Sequence, residues 1–444
     1  MNSHFLISAP SSNSGKTTLT LGLLRALKKR NLTVQPFKCG PDYIDPIHHT
    51  QAAGNQSINL DTFMSSQAHV TEIYENHSYN TDVAVTEGVM GLFDGADKMQ
   101  GSSAAIAELL SIPVILVVDA RSMAYSAAPL LFGFKNFYPR INVAGVIFNF
   151  VNTTSHYSFL QDACADVGME CLGYLPKNSD LVIPSRHLGL HISAETDYEK
   201  IIENASEEIE KTVDLNRLLA ITQRENALNA PSPTPFPTNG QLKITIARDE
   251  AFAFRYHQNI AALSTLGSIT WFSPLHDSTL PDTDLLYLPG GYPELFAREL
   301  NANQSMRQSI QNYCEKGGLT YAECGGLMYL GQTLTTSEGD TFAMAEVLDC
   351  STSMLNSKMT LGYRIGSWNG FEFRGHEFHY SNFENNNMTP IEAIVTNAKC
   401  VETETKIYQK HNTFASYMHV YWGDNKDFIL NLINITKKEP TADR

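Results

Sequence analysis

The strongest constraint on the fold is a short polar segment near the start of the chain, between an apolar run and a leucine-striped helical pattern. The apolar run Phe5–Ala9 predicts a strand, and the helical pattern Thr17–Lys29 begins within the segment SSNSGKTT. Backbone N–H groups at such a helix start bind phosphate oxygens, while a Lys and a following Thr supply a cation and a Mg²⁺ ligand. The segment therefore predicts a nucleotide-binding loop after the first strand of an α/β sheet.

Within this loop, we expect Lys16 to reach the β- and γ-phosphates and Thr17 to bind Mg²⁺. Ala9 and Pro10 stand where the usual pattern has its first glycine, and Asn13 stands at another position where glycine is common. A plain strand–helix turn is the alternative interpretation. The predicted nucleotide-binding residues of the loop are Asn13, Ser14, Gly15, Lys16, Thr17 and Thr18.

Short β-branched runs alternate with helical patterns along both halves of the chain, which is typical of parallel sheets covered by helices. We therefore predict an α/β fold class with two α/β domains, the first a P-loop NTPase-like parallel sheet. In the first half, the further predicted strands are Thr33–Lys38, Val83–Thr86, Val114–Asp119 and Val143–Asn149. In the second half, they are Lys243–Ala247, Ser268–Phe272, Leu285–Leu288 and Leu319–Ala322.

A proline-rich segment separates the two halves. Residues 226–240 read NALNAPSPTPFPTNG and show no helical periodicity and no apolar face. Such a segment is stiff and solvated, as linkers are. We predict a first domain over residues 1–225, a linker over 226–240 and a second domain over 241–444. A chain of 444 residues is long enough for this division.

The net charge of the chain indicates which kinds of binding partner are unfavourable. With 32 Lys and Arg against 47 Asp and Glu, the net charge of −15 disfavours binding to nucleic acid or to an anionic membrane surface. The seven cysteines form no CxxC pair, so neither a disulfide framework nor a zinc ribbon is indicated. The first residues lack a signal-peptide pattern, and the longest clean apolar stretch, residues 112–118, is far shorter than the ~20 residues of a membrane helix. We expect a soluble cytoplasmic protein.

Four carboxylates follow predicted strands of the first half. Asp42 and Asp45 lie in KCGPDYIDP, and Glu87 and Asp94 lie in EGVMGLFDG. Carboxyl ends of parallel strands share one edge, so we predict that Glu87 and one Asp hold Mg²⁺ while the others orient the acceptor or its attacking ammonia. Turn chemistry beside Gly and Pro is the alternative. Asn149, at the end of another strand, is predicted either to bind adenine or to serve as a turn residue.

A cysteine in the second half lies at a glycine-flanked turn. Cys324 in YAECGGLMYL follows a predicted strand and begins a helix, a position that lowers a thiol pKa and favours the nucleophilic thiolate. The backbone N–H groups of Gly290, Gly291 and Gly325 are predicted to form an oxyanion hole. For the general base, the residues leave three candidates, His376, His379 and His419. The first two alternate with aromatic residues, which is also typical of a half-buried strand.

Nine segments of the chain together resemble the cobyrinic acid a,c-diamide synthase family in order and spacing. That family combines a dethiobiotin-synthetase-like ATP domain with a class I glutamine amidotransferase domain, so the resemblance implies this architecture for the two halves. The segments are SSNSGKTT, FKCGPDYIDP, EGVMGLFDG, IPSRHLGL, YLPGGYPEL, YAECGGLMYL, MTLGYR, RGHEFHYS and ASYMHVYW.

The resemblance implies that Cys324 attacks the amide of glutamine with His419 as its base. The ammonia then serves the first domain, where ATP phosphorylates the a and c carboxylates of the tetrapyrrole and ammonia displaces phosphate. It implies ATP and Mg²⁺ as cofactors, with Thr17, Asp45 and Glu87 as metal ligands, and a homodimer. Asp42, Asp45, Glu87 and Asp94 surround the phosphate and the acceptor. The basic residues assigned to ATP are Lys16 and Lys38, and those assigned to the acceptor carboxylates are Arg186, His187 and either His48 or His49.

One departure concerns Tyr421, which stands two residues after His419 where ordinary class I amidotransferases carry a Glu. We therefore expect a Cys–His dyad, and we assign His376 and His379 to an interface or to the acceptor site. The acceptor is cobyrinic acid, hydrogenobyrinic acid or nickel sirohydrochlorin, which the sequence does not separate. Cobyric acid synthase, a related enzyme, is a less favoured alternative, because the segments PDYIDP and IPSRHLGL resemble the diamide synthases more closely. A non-enzyme alternative is an ATP-switched partition-type protein with an inert second module, in which Cys324 has no task.

Overall fold

The structure is a computed structural model that describes residues 2–183, 197–224 and 241–438, with side chains as far as residue 434. The chain forms two compact units, Met1–Pro233 and Thr234–Arg444. The predicted linker 226–240 lies outside the described residues, as do Arg186, His187 and all of the segment IPSRHLGL except its first residue. Among the described helices, none combines the length and the apolar character needed to cross a membrane.

In the first unit, strands alternate with helices as the sequence predicts. The strands are β1 (Asn2–Ser8), β2 (Val34–Cys39), β3 (Ile58–Leu60), β4 (Val83–Glu87), β5 (Val114–Asp119), β6 (Val143–Val151), β7 (Glu170–Pro176) and β8 (Gln223–Arg224). The helices are α1 (Lys16–Lys29), α2 (Asp45–Ala53), α3 (Gln67–Ser78), α4 (Ser103–Leu110), α5 (Ala127–Asn136), α6 (Thr154–Asp166), α7 (Tyr198–Thr212) and α8 (Leu215–Ile221).

The sheet of this unit has the order β3-β2-β4-β1-β5-β6-β7, all parallel, and β8 pairs antiparallel with the start of β1. Successive side chains of β1 enter two different cores, Leu6 on one face and Phe5 and Ile7 on the other. Burial of each such side chain contributes roughly 1.5–3 kcal/mol, which explains why the strands are apolar throughout. The chain adds β2 to β4 on one side of β1 and β5 to β7 on the other, so β1 lies at the switch point where ligands bind in α/β sheets.

The second unit contains more strands than the sequence predicts. The strands are β9 (Leu242–Ala247), β10 (Gly267–Phe272), β11 (Leu285–Leu288), β12 (Leu319–Glu323), β13 (Thr333–Thr335), β14 (Thr341–Ala343), β15 (Cys350–Ser353), β16 (Thr360–Trp368), β17 (Phe371–His379), β18 (Asn382–Asn386), β19 (Thr389–Pro390), β20 (Ile394–Asn397), β21 (Ile407–Lys410), β22 (Thr413–Ser416) and β23 (Met418–Tyr421). The helices are α9 (His257–Ser264), α10 (Ala297–Ala302), α11 (Gln304–Glu315), α12 (Gly325–Leu330) and α13 (Asp427–Lys438).

The largest sheet of the second unit has the order β10-β9-β11-β12-β22-β21-β19, parallel from β10 to β22 and antiparallel beyond. It confirms the predicted α/β class. Two further four-stranded sheets, β14-β13-β15-β18 and β20-β16-β17-β23, contain antiparallel pairs that the prediction lacks. The pair β16–β17 turns through Asn369 and Gly370, both with positive φ, at 52° and 81°. An Asn-Gly pair between strands is the usual signal of such a hairpin, so the sequence does carry this information.

Candidate functional site

The predicted phosphate loop connects β1 to α1 and has a constrained backbone. Asn13 and Gly15 adopt left-handed conformations, with φ of 62° and 84°. A Cβ at Gly15 would lie 1.9 Å from Nδ2 of Asn149, so this position accepts only glycine. Asn is among the residues that tolerate a left-handed backbone best, and Asn13 therefore fits a place where other loops of this kind use glycine. The departure from the common pattern leaves a tightly turned loop in place.

Asn149, which lies on β6, supports this loop. Its Nδ2 donates a hydrogen bond to the carbonyl oxygen of Ser14 at 3.0 Å, and its Oδ1 accepts from the backbone N–H of Phe150 at 2.9 Å. The side chain thus connects the end of β6 to the loop, a positioning role that the sequence does not indicate. The contact with adenine stays a prediction.

Lys16 begins α1 and extends across the loop. Its Nζ donates to the carbonyl oxygens of Met90, at 2.6 Å, and Ser11, at 3.5 Å. Burial lowers the pKa of Lys16 to about 8, although the nearby carboxylate of Glu87 acts in the opposite direction. Hydrogen bonds between an ammonium and phosphate oxygens are stronger than those to neutral carbonyls, so ligand phosphates can replace these partners.

Glu87, at the end of β4, is fully buried and joins three elements. Its Oε1 accepts from Thr17 Oγ1 at 2.9 Å and from Lys38 Nζ at 3.0 Å, and its Oε2 lies 2.7 Å from Nε2 of His49. Lys38 and Glu87 are register partners in the parallel pair β2–β4, which places the two side chains next to each other. Burial alone would raise the pKa of Glu87, but Lys38 and His49 outweigh it and lower this pKa.

Lys38, which the sequence assigns to ATP, turns inward in this structure, and its contact with ATP stays a prediction. Its side chain is almost completely buried, and its Nζ lies 2.7 Å from Asp45 Oδ2 and donates to the carbonyl oxygen of Gly88 at 3.2 Å. Burial lowers the pKa of Lys38, yet Asp45 and Glu87 raise it well above the ordinary value. A buried ammonium requires such counter-charges. Lys38 therefore holds the carboxylates in place and neutralises them.

Asp42 and Asp94 hold turns in this structure. Oδ1 of Asp42 accepts from the backbone N–H groups of Ile44 and Asp45, at 2.9 and 3.0 Å, and so fixes the start of α2. Oδ2 of Asp94 accepts from the backbone N–H of Gly91 at 3.1 Å. These contacts agree with the turn chemistry that the sequence leaves open, and a ligand role for either residue stays a prediction.

A Mg²⁺ ion bound together with nucleotide phosphates needs a few oxygen donors at the loop. Thr17 Oγ1 and Glu87 Oε1 lie 2.9 Å apart and supply two of them, so these residues fit the predicted ion. Asp45 Oδ2 contacts Lys38 Nζ, which also contacts Glu87 Oε1, and the role of Asp45 as a metal ligand stays a prediction. Among the described residues, no group of three or more His, Cys, Asp and Glu side chains could hold a metal without further ligands.

The two histidines proposed for the acceptor are both buried on α2. His49 is fully buried and contacts Glu87, with its Nδ1 3.4 Å from Ser57 Oγ. His48 stacks on Tyr198, with ring centroids 4.1 Å apart. Neither ring lies on the surface, so contact with a large acceptor is not supported for them. His49 is instead a residue of the carboxylate cluster, and its place four residues after Asp45 on a helix is the signal that could have indicated this.

The predicted thiol nucleophile lies at a strained turn between β12 and α12. Cys324 has φ 46° and ψ −103°, a conformation that costs a non-glycine residue on the order of 1–3 kcal/mol. Its backbone N–H donates to the carbonyl oxygen of Ser416 on β22 at 2.8 Å. Its Sγ lies 3.8 Å from the carbonyl oxygen of Phe378. Strain at a strand-to-helix turn is characteristic of nucleophile elbows.

The prediction that the thiol has a lowered pKa is wrong for this structure. Burial raises the pKa of Cys324, and the carboxylate of Glu294 raises it further. The backbone N–H of Gly325 acts in the opposite direction, but α12 is only six residues long. A thiolate at this position therefore needs a positive partner.

The three glycines of the predicted oxyanion hole lie close to the nucleophile. A Cβ at Gly325 would lie 2.9 Å from the backbone nitrogen of Gly291. A Cβ at Gly290 would lie 2.2 Å from Cε1 of His419. The absence of side chains thus allows the loop after β11, the start of α12 and the histidine ring to approach one another. This proximity is consistent with an oxyanion hole, which stays a prediction.

His419 is the candidate base whose ring contacts this glycine loop. It lies on β23, is almost fully buried, and has its Nδ1 3.6 Å from Oε2 of Glu323, the residue before the cysteine. His376 is its register partner on β17. His379 stacks on Tyr417, with ring centroids 3.9 Å apart, beside a cavity of about 260 Å³. Among the three candidates, the His419 ring is the one shown to lie against Gly290 of the glycine loop, and its role as base stays a prediction. The carboxylate of Glu323 is a feature that the sequence analysis misses.

Comparisons with known proteins cover both units. The family of the CobQ/CobB/MinD/ParA nucleotide binding domain matches residues 5–190, and the family of the CobB/CobQ-like glutamine amidotransferase domain matches residues 243–427. A protein named cobyrinate a,c-diamide synthase from Dehalococcoides mccartyi (strain CBDB1) is 40% identical over 97% of this chain and 98% of its own length. Relatives with the same name from Listeria monocytogenes serovar 1/2a and Streptococcus sanguinis (strain SK36) are 41% and 39% identical, each over 98% of this chain and 99% of the relative.

Proposed function

Because the chain belongs to the cobyrinate a,c-diamide synthase family and is a glutamine-dependent ligase, we propose that it converts the a and c carboxylates of cobyrinic acid to amides. The observation that supports this proposal best is the presence of two different buried sites in one chain. One unit carries a phosphate loop next to a carboxylate cluster, and the other carries a cysteine at a strained turn. An amidation that uses ATP and glutamine requires both.

In the second unit, Sγ of Cys324 attacks the carboxamide carbon of glutamine. The backbone N–H groups of Gly290, Gly291 and Gly325 stabilise the oxyanion. The C–N bond then breaks, ammonia leaves with a proton from His419, and water hydrolyses the thioester to glutamate. The contact of the His419 ring with Gly290 supports this assignment, since it places the imidazole beside the predicted oxyanion site.

In the first unit, a carboxylate oxygen of the acceptor attacks the γ-phosphorus of ATP and ADP leaves. Ammonia then attacks the carbonyl carbon of the acyl phosphate, and inorganic phosphate departs. Lys16 and the loop N–H groups hold the phosphates in line for the transfer. Thr17 and Glu87 would hold Mg²⁺, which would neutralise phosphate charge. Phosphorylation is required because an ionised carboxylate has no good leaving group.

We further propose that residues 1–225 form the ATP domain, residues 241–444 the amidotransferase domain and residues 226–240 their linker, and that the chain forms a homodimer. Light scattering at several protein concentrations tests the dimer; a mass equal to that of one chain at all of them would contradict it. A partition-type ATP switch with an inert second module is the rival function. The strained backbone at Cys324 disfavours it, because a module without chemistry has no use for strain at a thiol.

The acceptor is tested by supplying ATP, Mg²⁺ and glutamine with cobyrinic acid, hydrogenobyrinic acid or nickel sirohydrochlorin in turn. Mass spectrometry of the tetrapyrrole then counts the carboxylates converted to amides. We expect two amides on cobyrinic acid and the highest kcat/KM for this acceptor. A higher kcat/KM with either of the other acceptors would show that this acceptor is the preferred substrate, while the reaction would remain an ATP- and glutamine-dependent amidation. Absence of amide on all three would overturn the proposed function.

A further inference from the structure

We propose that Glu323, the residue immediately before the nucleophile, positions the imidazole of His419 and takes the place of the carboxylate that ordinary class I amidotransferases carry two residues after their histidine. In this chain that position is Tyr421. The inference rests on the proposed glutaminase reaction of Cys324 and His419. Glu323 is a positioning residue, since it acts on glutamine through His419.

Glu323 binds the β23 backbone at Val420, the residue after His419, and lies beside the His419 ring. Its Oε1 accepts from the N–H of Val420 at 2.9 Å, and its Oε2 lies 3.6 Å from His419 Nδ1. The hydroxyl of Tyr287 donates to Oε2 at 2.8 Å. The side chain of Glu323 is almost completely buried. Two hydrogen bonds of ordinary length thus fix a carboxylate that faces the edge of the imidazole.

The topology explains why this residue can replace the usual carboxylate. β12 and β22 are parallel neighbours, with Glu323 in register with Ser416. The chain leaves β22 at Ser416 and enters β23 at Met418, so His419 follows within three residues of the strand beside Glu323. A carboxylate at the end of β12 can therefore lie beside His419, and β23 does not need to supply the carboxylate. The same strand end delivers Cys324, which places nucleophile and carboxylate one peptide apart.

The groups around the Glu323 carboxylate indicate that it can stabilise a positive charge on His419. The partners of Glu323 described above other than His419 are the neutral Tyr287 hydroxyl and the Val420 N–H. A buried anion with neutral donors stabilises a neighbouring imidazolium, which is the positive partner that the Cys324 thiolate needs. Other titratable groups also act here. Burial and Glu323 raise the pKa values of Tyr287 and Tyr321, and His376 is the register partner of His419. Glu294, Glu377 and, by a smaller direct effect, Glu323 itself raise the pKa of Cys324.

In the reaction, the thiol proton moves to Nε2 of His419 as Sγ bonds to the carboxamide carbon. The same proton then passes to the departing ammonia as the C–N bond breaks. The Nδ1 edge of the ring lies 3.6 Å from Oε2 of Glu323, and the proton is exchanged only among Cys324, His419 and the departing ammonia. The carboxylate thus fixes the tautomer and the orientation of the ring, and atoms and charges balance without any further reactant.

The test is Glu323→Gln in the full chain. The amide keeps an oxygen for the N–H of Val420 and removes the negative charge. We expect glutamine hydrolysis to lose about 100-fold or more in kcat, by analogy with the neutral replacement of a triad carboxylate. Amidation with ammonium chloride should stay within a few-fold of wild type, since it bypasses this site. Site-resolved alkylation of Cys324 against pH, read by peptide mass spectrometry, should shift its midpoint upward because the imidazolium loses its counter-charge. This loss should exceed the smaller direct effect of the Glu323 charge, whose removal lowers the thiol pKa.

Two further variants separate positioning from a structural role. Tyr287→Phe removes a donor to Glu323 and keeps the charge, so the alkylation midpoint should stay near wild type and kcat should fall less. Glu323→Asp also keeps the charge, and its midpoint should lie closer to wild type than that of Glu323→Gln.

The inference is overturned if Glu323→Gln hydrolyses glutamine at the wild-type rate, or if it loses activity with an unchanged alkylation midpoint. If Glu323→Gln fails to fold, as loss of amidation from ammonia would indicate, Glu323→Asp decides; its shorter side chain withdraws the carboxylate from the ring, so a wild-type kcat for glutamine hydrolysis in this variant would refute the inference. Failure of the proposed function looks different, because the wild-type chain would then hydrolyse no glutamine or Cys324→Ala would retain the activity.

Discussion

The two sites bury their charged groups in opposite ways. In the first unit, the carboxylates of Asp45 and Glu87 lie 2.7 and 3.0 Å from the ammonium of Lys38, and the pKa of Glu87 is lowered. In the second unit, the thiol of Cys324 lies near the carboxylate of Glu294, and burial together with this carboxylate raises the thiol pKa. One site holds its charges in compensated pairs, while the other holds a neutral nucleophile.

This difference matches the chemistry proposed for each site. Phosphoryl transfer requires fixed charges before the nucleotide arrives, because preorganised dipoles and cations need no reorganisation during the reaction. A thiol attack requires a thiolate, which a neutral thiol yields only when a base removes its proton. The second site is therefore inactive until His419 accepts that proton. Five predictions test this contrast, from the largest expected effect to the smallest.

The largest effect is expected from Cys324→Ala. We expect glutamine-dependent amidation to fall by about 10⁴-fold or more, because the covalent step is lost. Amidation with ammonium chloride should persist, since the first site is untouched. The measurement is amide formation on the tetrapyrrole with either nitrogen source, together with glutamate release. Loss of both activities, or of neither, would break the division of work between the two sites.

The next effect concerns the stability of the first unit. Lys38→Met leaves two buried carboxylates without their cation and should lower the free energy of unfolding by about 3–5 kcal/mol. The control is Lys29→Met, which removes a partly exposed partner of Glu203 and should cost less than about 1 kcal/mol. Denaturant unfolding with a fluorescence readout measures both. Equal losses in the two variants would contradict the compensated cluster.

The acid sensitivity of this cluster follows from the same contacts. The pKa of Glu87 is lowered in the folded state, so its contribution to stability is present above the unfolded value of 4.5 and is lost as pH falls below it. Lys38→Met should weaken this loss, because the ammonium is a main cause of the lowered pKa. Unfolding at pH 7 and at pH 4 measures it. An acid sensitivity equal to that of wild type would show that other carboxylates carry the effect.

Local backbone features were the parts of both sites that the sequence could predict. The loop before Lys16 and the turn at Cys324 combine glycines with a strand-to-helix change, and these patterns lie within a few consecutive residues. Side-chain pairing was less predictable: strand ends place Asp45 and Glu87 at one edge, but they do not say that Lys38 turns inward. Only the register of β2 on β4 decides that.

Glu323 and the antiparallel sheets show two further limits. A Glu at the end of the apolar run LTYAE was a visible signal, since Glu is almost never fully buried without a partner. Its partners, however, lie on β11 and β23, far away in sequence. The hairpin at Asn369 and Gly370 was visible locally, whereas the pairing of β17 with β23 spans more chain than periodicity can connect.

The fourth prediction tests the proposed Mg²⁺ ligand. Glu87→Gln should lower the rate of amidation from ammonia by about 100-fold or more, because the site loses the negative charge that would hold Mg²⁺ at the transferred phosphoryl group. Glutamine hydrolysis by Cys324 should stay within a few-fold of wild type. His49→Gln is a matched control that keeps a polar contact to the carboxylate and should cost less. Undiminished diamide formation by Glu87→Gln would remove this residue from the metal site.

The smallest effect is expected at Glu294, where burial raises the pKa to about 7. Its negative charge disfavours the Cys324 thiolate, so Glu294→Gln should increase the rate of Cys324 alkylation a few-fold above pH 7. Below that pH, Glu294 is largely protonated in the wild-type chain, and the difference should disappear. Glu299→Gln on α10 removes an exposed charge and should leave the rate unchanged. Only a carboxylate that titrates beside the thiol can make the alkylation rates of the variant and the wild type converge at low pH. An increase of equal size at every pH would therefore assign the effect to altered packing, and the charge of Glu294 would no longer explain why the thiol stays neutral.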